Sequence, residues 1–132
     1  MSKPWKWLES TKELQEQIYH YDYQILRDNP PALARYIDWN LTAAVQECAE
    51  VREEFSWKPW ARDEYFVNRN RIRDEVIDVM HFLGNIMTAI GVTDGELEDA
   101  YQYKQDINRQ RQASGTYSAR KGGLSEGSDN AS

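Results

Sequence analysis

Two pairs of acidic residues constrain this chain more than any other feature: Glu47-x-x-Glu50 and Glu75-x-x-Asp78. The second pair lies in a run, Arg69 to Gly91, whose periodicity predicts one long helix. Ile72, Val76, Val79, Met80, Leu83, Ile86, Met87 and Ile90 recur there at steps of three and four, forming one apolar stripe. Acids three apart share a helical face, and here that face borders the stripe rather than opposing it. Carboxylates at the rim of a core are partly desolvated, which is costly unless a cation stands between them. The first pair has the same placement, beside a stripe of Leu41, Ala44, Val45, Cys48, Val51 and Phe55. Taken singly, either pair is common on a solvated helix. Together, on two helices whose stripes can face each other, they predict a site for a divalent metal. An all-oxygen donor set favours Mg²⁺ or Mn²⁺ over zinc.

The rest of the chain reads as helix. Ser10 followed by Glu13 resembles a capping box and opens a helix to about Leu26. Asp28-Asn29-Pro30-Pro31 ends it. A second helix runs from about Pro31 to Phe55, and the segment from Ser56 to Asn68 is short enough to make the two acidic helices antiparallel neighbours. After Gly91, Thr93 or Asp94 caps a fourth helix. No strand, repeat or phosphate-cradling glycine loop stands out. The expectation is an all-α domain over residues 1–118 with a four-helix core and two antiparallel acidic helices, followed by a disordered tail over 119–132.

At 132 residues the chain is long enough for one domain with a real core. A net charge of −6 argues against nucleic-acid binding, which needs a basic face. It suits a protein that recruits cations and uses them to hold anions. The single cysteine, Cys48, excludes an internal disulfide, so the expected compartment is the cytoplasm. Neither a signal peptide nor a membrane span is evident.

Several side chains are placed to meet a substrate. Asn85 lies beyond Asp78 on the same side of the helix, and Phe82 projects there and can pack against a flat ring. His81 lies across the helix and reads as structural. Glu53, Glu54, Asp63, Glu64 and Asp74 read as solvent-facing acids. On the last helix Lys104, Asn108 and Arg111 form one polar stripe. Metal-binding acids together with a lysine and an arginine suggest a polyphosphate substrate.

These segments resemble the all-α nucleoside triphosphate pyrophosphatases, the MazG-like superfamily, and within it the dimeric dUTPase and phage dCTPase/dUTPase branch. Glu47-Cys48-Ala49-Glu50 leading to Phe55-Ser56-Trp57-Lys58-Pro59-Trp60 is similar to the branch's first motif. Arg73 to Phe82 looks like its second, and Lys104-x-x-x-Asn108-x-x-Arg111-Gln112-x-x-Gly115 like its C-terminal nucleotide-binding motif. The resemblance implies that Glu47, Glu50, Glu75 and Asp78 hold Mg²⁺. It implies nucleotide contacts from Lys104, Asn108 and Arg111, with Lys58 near the phosphates and Gln15 or Gln17 near the base. The asparagine expected soon after that glutamine is replaced by the region of Tyr19 and His20. The expected reaction is hydrolysis of a deoxynucleoside triphosphate, dUTP or dCTP foremost, to the monophosphate and pyrophosphate. Glu47 or Glu50 would position or deprotonate the attacking water. The family also implies a homodimer or higher homo-oligomer. Two other readings compete: a MazG-like pyrophosphatase acting on other nucleotides, purines included, and a non-catalytic helical binding module.

Overall fold

A computed structural model describes residues 4–58, 60 and 66–115. Asp63, Glu64 and the C-terminal tail, on which sequence expectations fell, lie outside the described residues. The described residues form five α-helices: α1 (Trp7–Gln17), α2 (Tyr23–Arg27), α3 (Pro30–Val51), α4 (Arg69–Ala89) and α5 (Asp94–Ser114). A 3₁₀ turn, Arg52–Glu54, extends α3. The all-α expectation holds, and the long acidic helices are the two foreseen. The chain divides into two compact units, Met1–Asp94 and Gly95–Ser132.

In the first unit the single helix expected to run to Leu26 is two. The break falls after Ile18, where His20 takes a left-handed φ of 60° and the Tyr21 amide donates back to the Gln15 carbonyl at 3.1 Å. This is a helix stop made without glycine. The Ser10–Glu13 box does not open α1, which begins at Trp7. Its amide ends are met from afar instead: the Asp94 carboxylate accepts from Leu8 N and Glu9 N at 2.8 and 3.0 Å. Asp22 caps α2 and Asn29 caps α3, each by accepting backbone N–H groups of the first turn.

α3 and α4 pack antiparallel. Asn40 meets Asn85 near one end of the pair, and Glu54 at the far end of the 3₁₀ turn meets Arg71 at the start of α4. α1 crosses α4 where Gly84 permits it. A Cβ there would stand 3.0 Å from the Trp7 indole nitrogen and 3.1 Å from Thr11 Oγ1, closer than packed side chains tolerate. An aromatic group of Tyr21, Tyr23 and Tyr36 closes the end of the unit, with Ala89 and Leu33 against it.

The helices bury their predicted apolar stripes only in part: Ala44 is buried, while Ile72, Val79, Met80, Ile86, Met87, Val51 and Phe55 are half-buried. On α4 the buried positions are Gly84, Asn85, Thr88 and Ala89, and on α3 they are Tyr36, Asn40 and Ala44. Val76, Leu83 and Ile90 of the predicted α4 stripe are exposed, as are Leu41, Val45 and Cys48 of the α3 stripe. The two helices meet along the edges that carry their acids and amides. The outer half of each apolar arc is left exposed.

In the second unit the described residues belong to α5 and to Gly115 just after it. None of its residues is buried, and it ends at Gly115, whose φ of 79° is the left-handed conformation that suits a helix stop.

Candidate functional site

The acidic edges of α3 and α4 converge. Glu47, Glu75 and Asp78 each offer a carboxylate oxygen, and these oxygens all lie within 4.8 Å of one another. All three side chains are half-buried. Glu50, one turn along from Glu47, stands outside this trio, yet its charge is felt by both Glu47 and Glu75. The four acids named from sequence therefore form one group, with three in close contact and the fourth at the edge.

The group is under electrostatic load. Loss of water around Glu47 pushes its carboxyl above the ordinary range, and the neighbouring charges of Glu50 and Asp78 push it further. Glu75 is raised for the same reasons, desolvation first, then Asp78, Glu50, Glu47 and Glu54. Moreover, Glu75 Oε1 is buried with no hydrogen-bond partner. Three converging carboxylates, one of them with an orphaned buried oxygen, are what a hard divalent cation would satisfy, so the residues present fit Mg²⁺ or Mn²⁺.

Glu54, expected to face solvent, is instead buried, at 9% exposure. Its carboxylate accepts from Arg71 Nε at 2.8 Å and Nη2 at 3.3 Å. The pair sits at the root of the segment that joins α3 to α4. There the Asn68 amide donates to the Glu54 carbonyl, the Ser56 amide donates to the Phe66 carbonyl, and Phe55 bridges Val67. An acid at the end of an acidic helix gives little sign of such pairing. The arginine seventeen residues on was the only signal in the sequence. Asp74 does face solvent, paired with Arg73.

Along the same inward edges, away from the acids, lie Phe82, half-buried, and Asn85, buried and bonded to Asn40. Gln15 is buried too, its Oε1 accepting from the Tyr36 hydroxyl at 3.4 Å. Gln17 is exposed at the end of α1, so of the two glutamines only Gln15 turns inward. Asn40 and Tyr36, which sequence reading passed over, belong to this interior polar lining. His81 is exposed, with Nδ1 3.9 Å from Asp78 Oδ1. Lys58 is exposed, its Nζ 5.7 Å from the centre of the Trp57 ring, over which Arg52 also stacks at 4.5 Å.

In the second unit, Lys104, Asn108 and Arg111 share one side of α5. With Tyr103 and Ile107 they line a shallow cavity of about 230 Å³. Two cations and an amide around a concavity suit an anionic ligand. Among the described residues no single helix is long and apolar enough to cross a membrane.

The comparison with known families gives one match. The model of a family described as dUTPase, helical and of the MazG-like type, matches residues 5–90, which include all four acids but end before Lys104. No curated protein and no solved structure matches the chain. By that match over well more than half its length, and by a helical fold in which the acids converge, this chain belongs to the dUTPase family of nucleotide hydrolases.

Proposed function

We propose that this protein hydrolyses a deoxynucleoside triphosphate, dUTP or dCTP, to the monophosphate and pyrophosphate, with Mg²⁺ bound by Glu47, Glu50, Glu75 and Asp78, in the cytoplasm. The observation that carries this reading is the convergence of Glu47, Glu75 and Asp78 oxygens within 4.8 Å, one member leaving a buried oxygen unpaired. A divalent cation held there would supply charge neutralisation and Lewis-acid chemistry toward the phosphates. The protein's own groups do the rest. Glu50, at the edge of the trio, completes the ligand set or takes the proton of the attacking water. Lys104 and Arg111 offset charge on the triphosphate, with Asn108 donating beside them and Lys58 as a further cation. Phe82 offers a flat apolar face to the sugar or base, and Gln15 and Asn85 offer amides to the base.

We also propose a homodimer. Among the described residues only five hydrophobic ones are buried, whereas Leu41, Val45, Val76, Leu83 and Ile90 are exposed on the two longest helices of the first unit. A core this small does not hold a domain of this length, and a second copy of the same arcs is a self-complementary cover.

The test is pyrophosphate release from a panel of dNTPs and NTPs, with Mg²⁺ and with EDTA. Mg²⁺-dependent release from dUTP or dCTP is the expected result. Release spread across purines would move the substrate class, and no release from any nucleotide would overturn the reading.

A further inference from the structure

The buried amide of Asn40 lies between two partners of fixed polarity. Its Nδ2 donates to the Tyr36 carbonyl at 2.8 Å, one helical turn back on α3. A backbone carbonyl only accepts, so Asn40 must present its nitrogen there and its Oδ1 on the opposite side. That Oδ1 receives Asn85 Nδ2 from α4 at 2.9 Å. The orientation of Asn85 is thereby settled as well: its nitrogen faces Asn40 and its Oδ1 faces away. Asn40 and Asn85 are 4% and 8% exposed, so the bond between their amides is shielded from bulk solvent. Asn85 Oδ1 takes no hydrogen bond from any described residue. The chain thus spends two buried side chains to present one acceptor in one orientation.

The register gives that acceptor its place. Seven residues separate Asn40 from Glu47 on α3, and seven separate Asp78 from Asn85 on the antiparallel α4. At 1.5 Å per residue the amide pair therefore stands about 10 Å along the helices from the acids, roughly the reach from phosphate to base edge in a nucleotide. Ala44 and Phe82 occupy the stretch between, small and flat respectively. Acid, apolar and amide groups follow one another in the order of phosphate, sugar and base.

We infer that Asn40 is a specificity-determining positioning residue: it locks the Asn85 amide so that Asn85 Oδ1 accepts from an N–H on the edge of the substrate base. The inference rests on the hydrolase reading above and extends it. Uracil carries a donor at N3 where cytosine carries an acceptor, so a locked acceptor distinguishes the two. An amide free to rotate offers either group and distinguishes them less.

Two substitutions of similar volume separate this role from packing. Asn40→Leu removes the lock. Asn40→Asp keeps it in either protonation state: a carboxylic acid donates to the Tyr36 carbonyl and turns its other oxygen toward Asn85, and a carboxylate, which loses the carbonyl bond, still offers Asn85 Nδ2 only acceptors. The readouts are the ratio of kcat/KM for dUTP and dCTP, and the affinities for dUMP and dCMP by calorimetry. Asn40→Leu is expected to shrink both ratios about tenfold, and Asn40→Asp to leave them within about twofold of the unsubstituted protein, whatever either does to thermal stability. Equal ratios in the unsubstituted protein, or a ratio that Asn40→Leu leaves unchanged, would overturn the inference. Should Asn40→Leu not fold, loss of discrimination in Asn40→Asp would overturn it equally. Nucleoside monophosphates that bind with base preference while no triphosphate is turned over would sink the hydrolase reading and leave the lock standing. No turnover and no binding would sink both.

Discussion

Arg71 grips Glu54 with two guanidinium nitrogens, and the carboxylate it grips is almost wholly enclosed while the arginine itself is largely in water. The asymmetry sets what a substitution does. Removing the arginine strands a buried charge close to Glu75, which already feels Glu54. Arg71→Leu is therefore expected to lower the thermal midpoint more than the double variant Arg71→Leu/Glu54→Gln, in which no charge is left behind. The double variant should regain the larger part of the loss. Thermal unfolding of the two, with Glu54→Gln completing the cycle, checks this. A double variant no better than Arg71→Leu would show that the pair contributes by packing and not by charge compensation.

Asp94 closes the first unit by capping α1, whose Leu8 amide lies 86 residues upstream. Its two oxygens take the Leu8 and Glu9 amides, donors that α1 cannot satisfy internally. Asp94→Ala should cost about 1 kcal/mol, the usual worth of an N-cap. Asp94→Asn keeps an acceptor and loses only the charge at the positive end of the helix, so it should cost roughly half as much. Chemical denaturation of the three proteins gives the comparison.

These two contacts mark what could be read from residues alone and what could not. The helices α3 and α4 were legible because their apolar residues repeat at helical spacing over some twenty positions, and the acid pairs were legible because they sit at fixed register beside those repeats. Which arc faces inward was not. An amphipathic pattern says that the apolar arc is buried, without saying whether by its own chain or by a second copy. Here Ala44, Asn40 and Asn85 go inside while Val45 and Leu83 stay out. The break at His20 escaped for a different reason: a left-handed stop without glycine or proline leaves no compositional mark. Glu54 escaped because its partner is far away in sequence.

The strained acids make a pH prediction whose sign is opposite to ordinary acid denaturation. Glu75 is raised above the ordinary value of 4.5 in the folded protein, so the folded state binds its proton more tightly than the unfolded chain does. The stability this group contributes is greatest below 4.5 and falls as pH rises through the elevated folded value. In metal-free protein, Glu75→Gln removes that loss. Its thermal midpoint should match or trail that of the unsubstituted protein near pH 4 and exceed it by pH 7. Adding Mg²⁺ at pH 7 should raise the unsubstituted protein and not Glu75→Gln, which lacks the oxygen charge the cation needs. Parallel midpoints at both pH values would remove the basis for treating these acids as a strained cluster.

Asp78 belongs to the same trio, and its loss should separate chemistry from folding. Asp78→Ala is expected to reduce pyrophosphate release on the order of a hundredfold or more, while the far-ultraviolet circular dichroism of the helices is retained. The half-buried Asp78 carboxylate is repelled by Glu47 and Glu75, so the metal-free variant should also be no less stable than the unsubstituted protein. Full activity in Asp78→Ala would remove the metal assignment.

Val45 offers the sharpest test of the second copy, because within one chain it has almost nothing to lose. It stands 70% exposed on α3, one helical turn from exposed Leu41. If the chain were complete as a monomer, Val45→Asp would change stability by no more than about 0.5 kcal/mol, as surface substitutions do. Set in an apolar seam between copies, the same carboxylate would be desolvated against valine and leucine, and the association would fail. The expected outcome is a dimer by sedimentation for the unsubstituted protein, with a thermal midpoint that rises with protein concentration. Val45→Asp should sediment as a monomer and lose that dependence, unfolding several degrees lower at the same concentration. A monomer in both proteins would leave the exposed arcs unexplained by self-association.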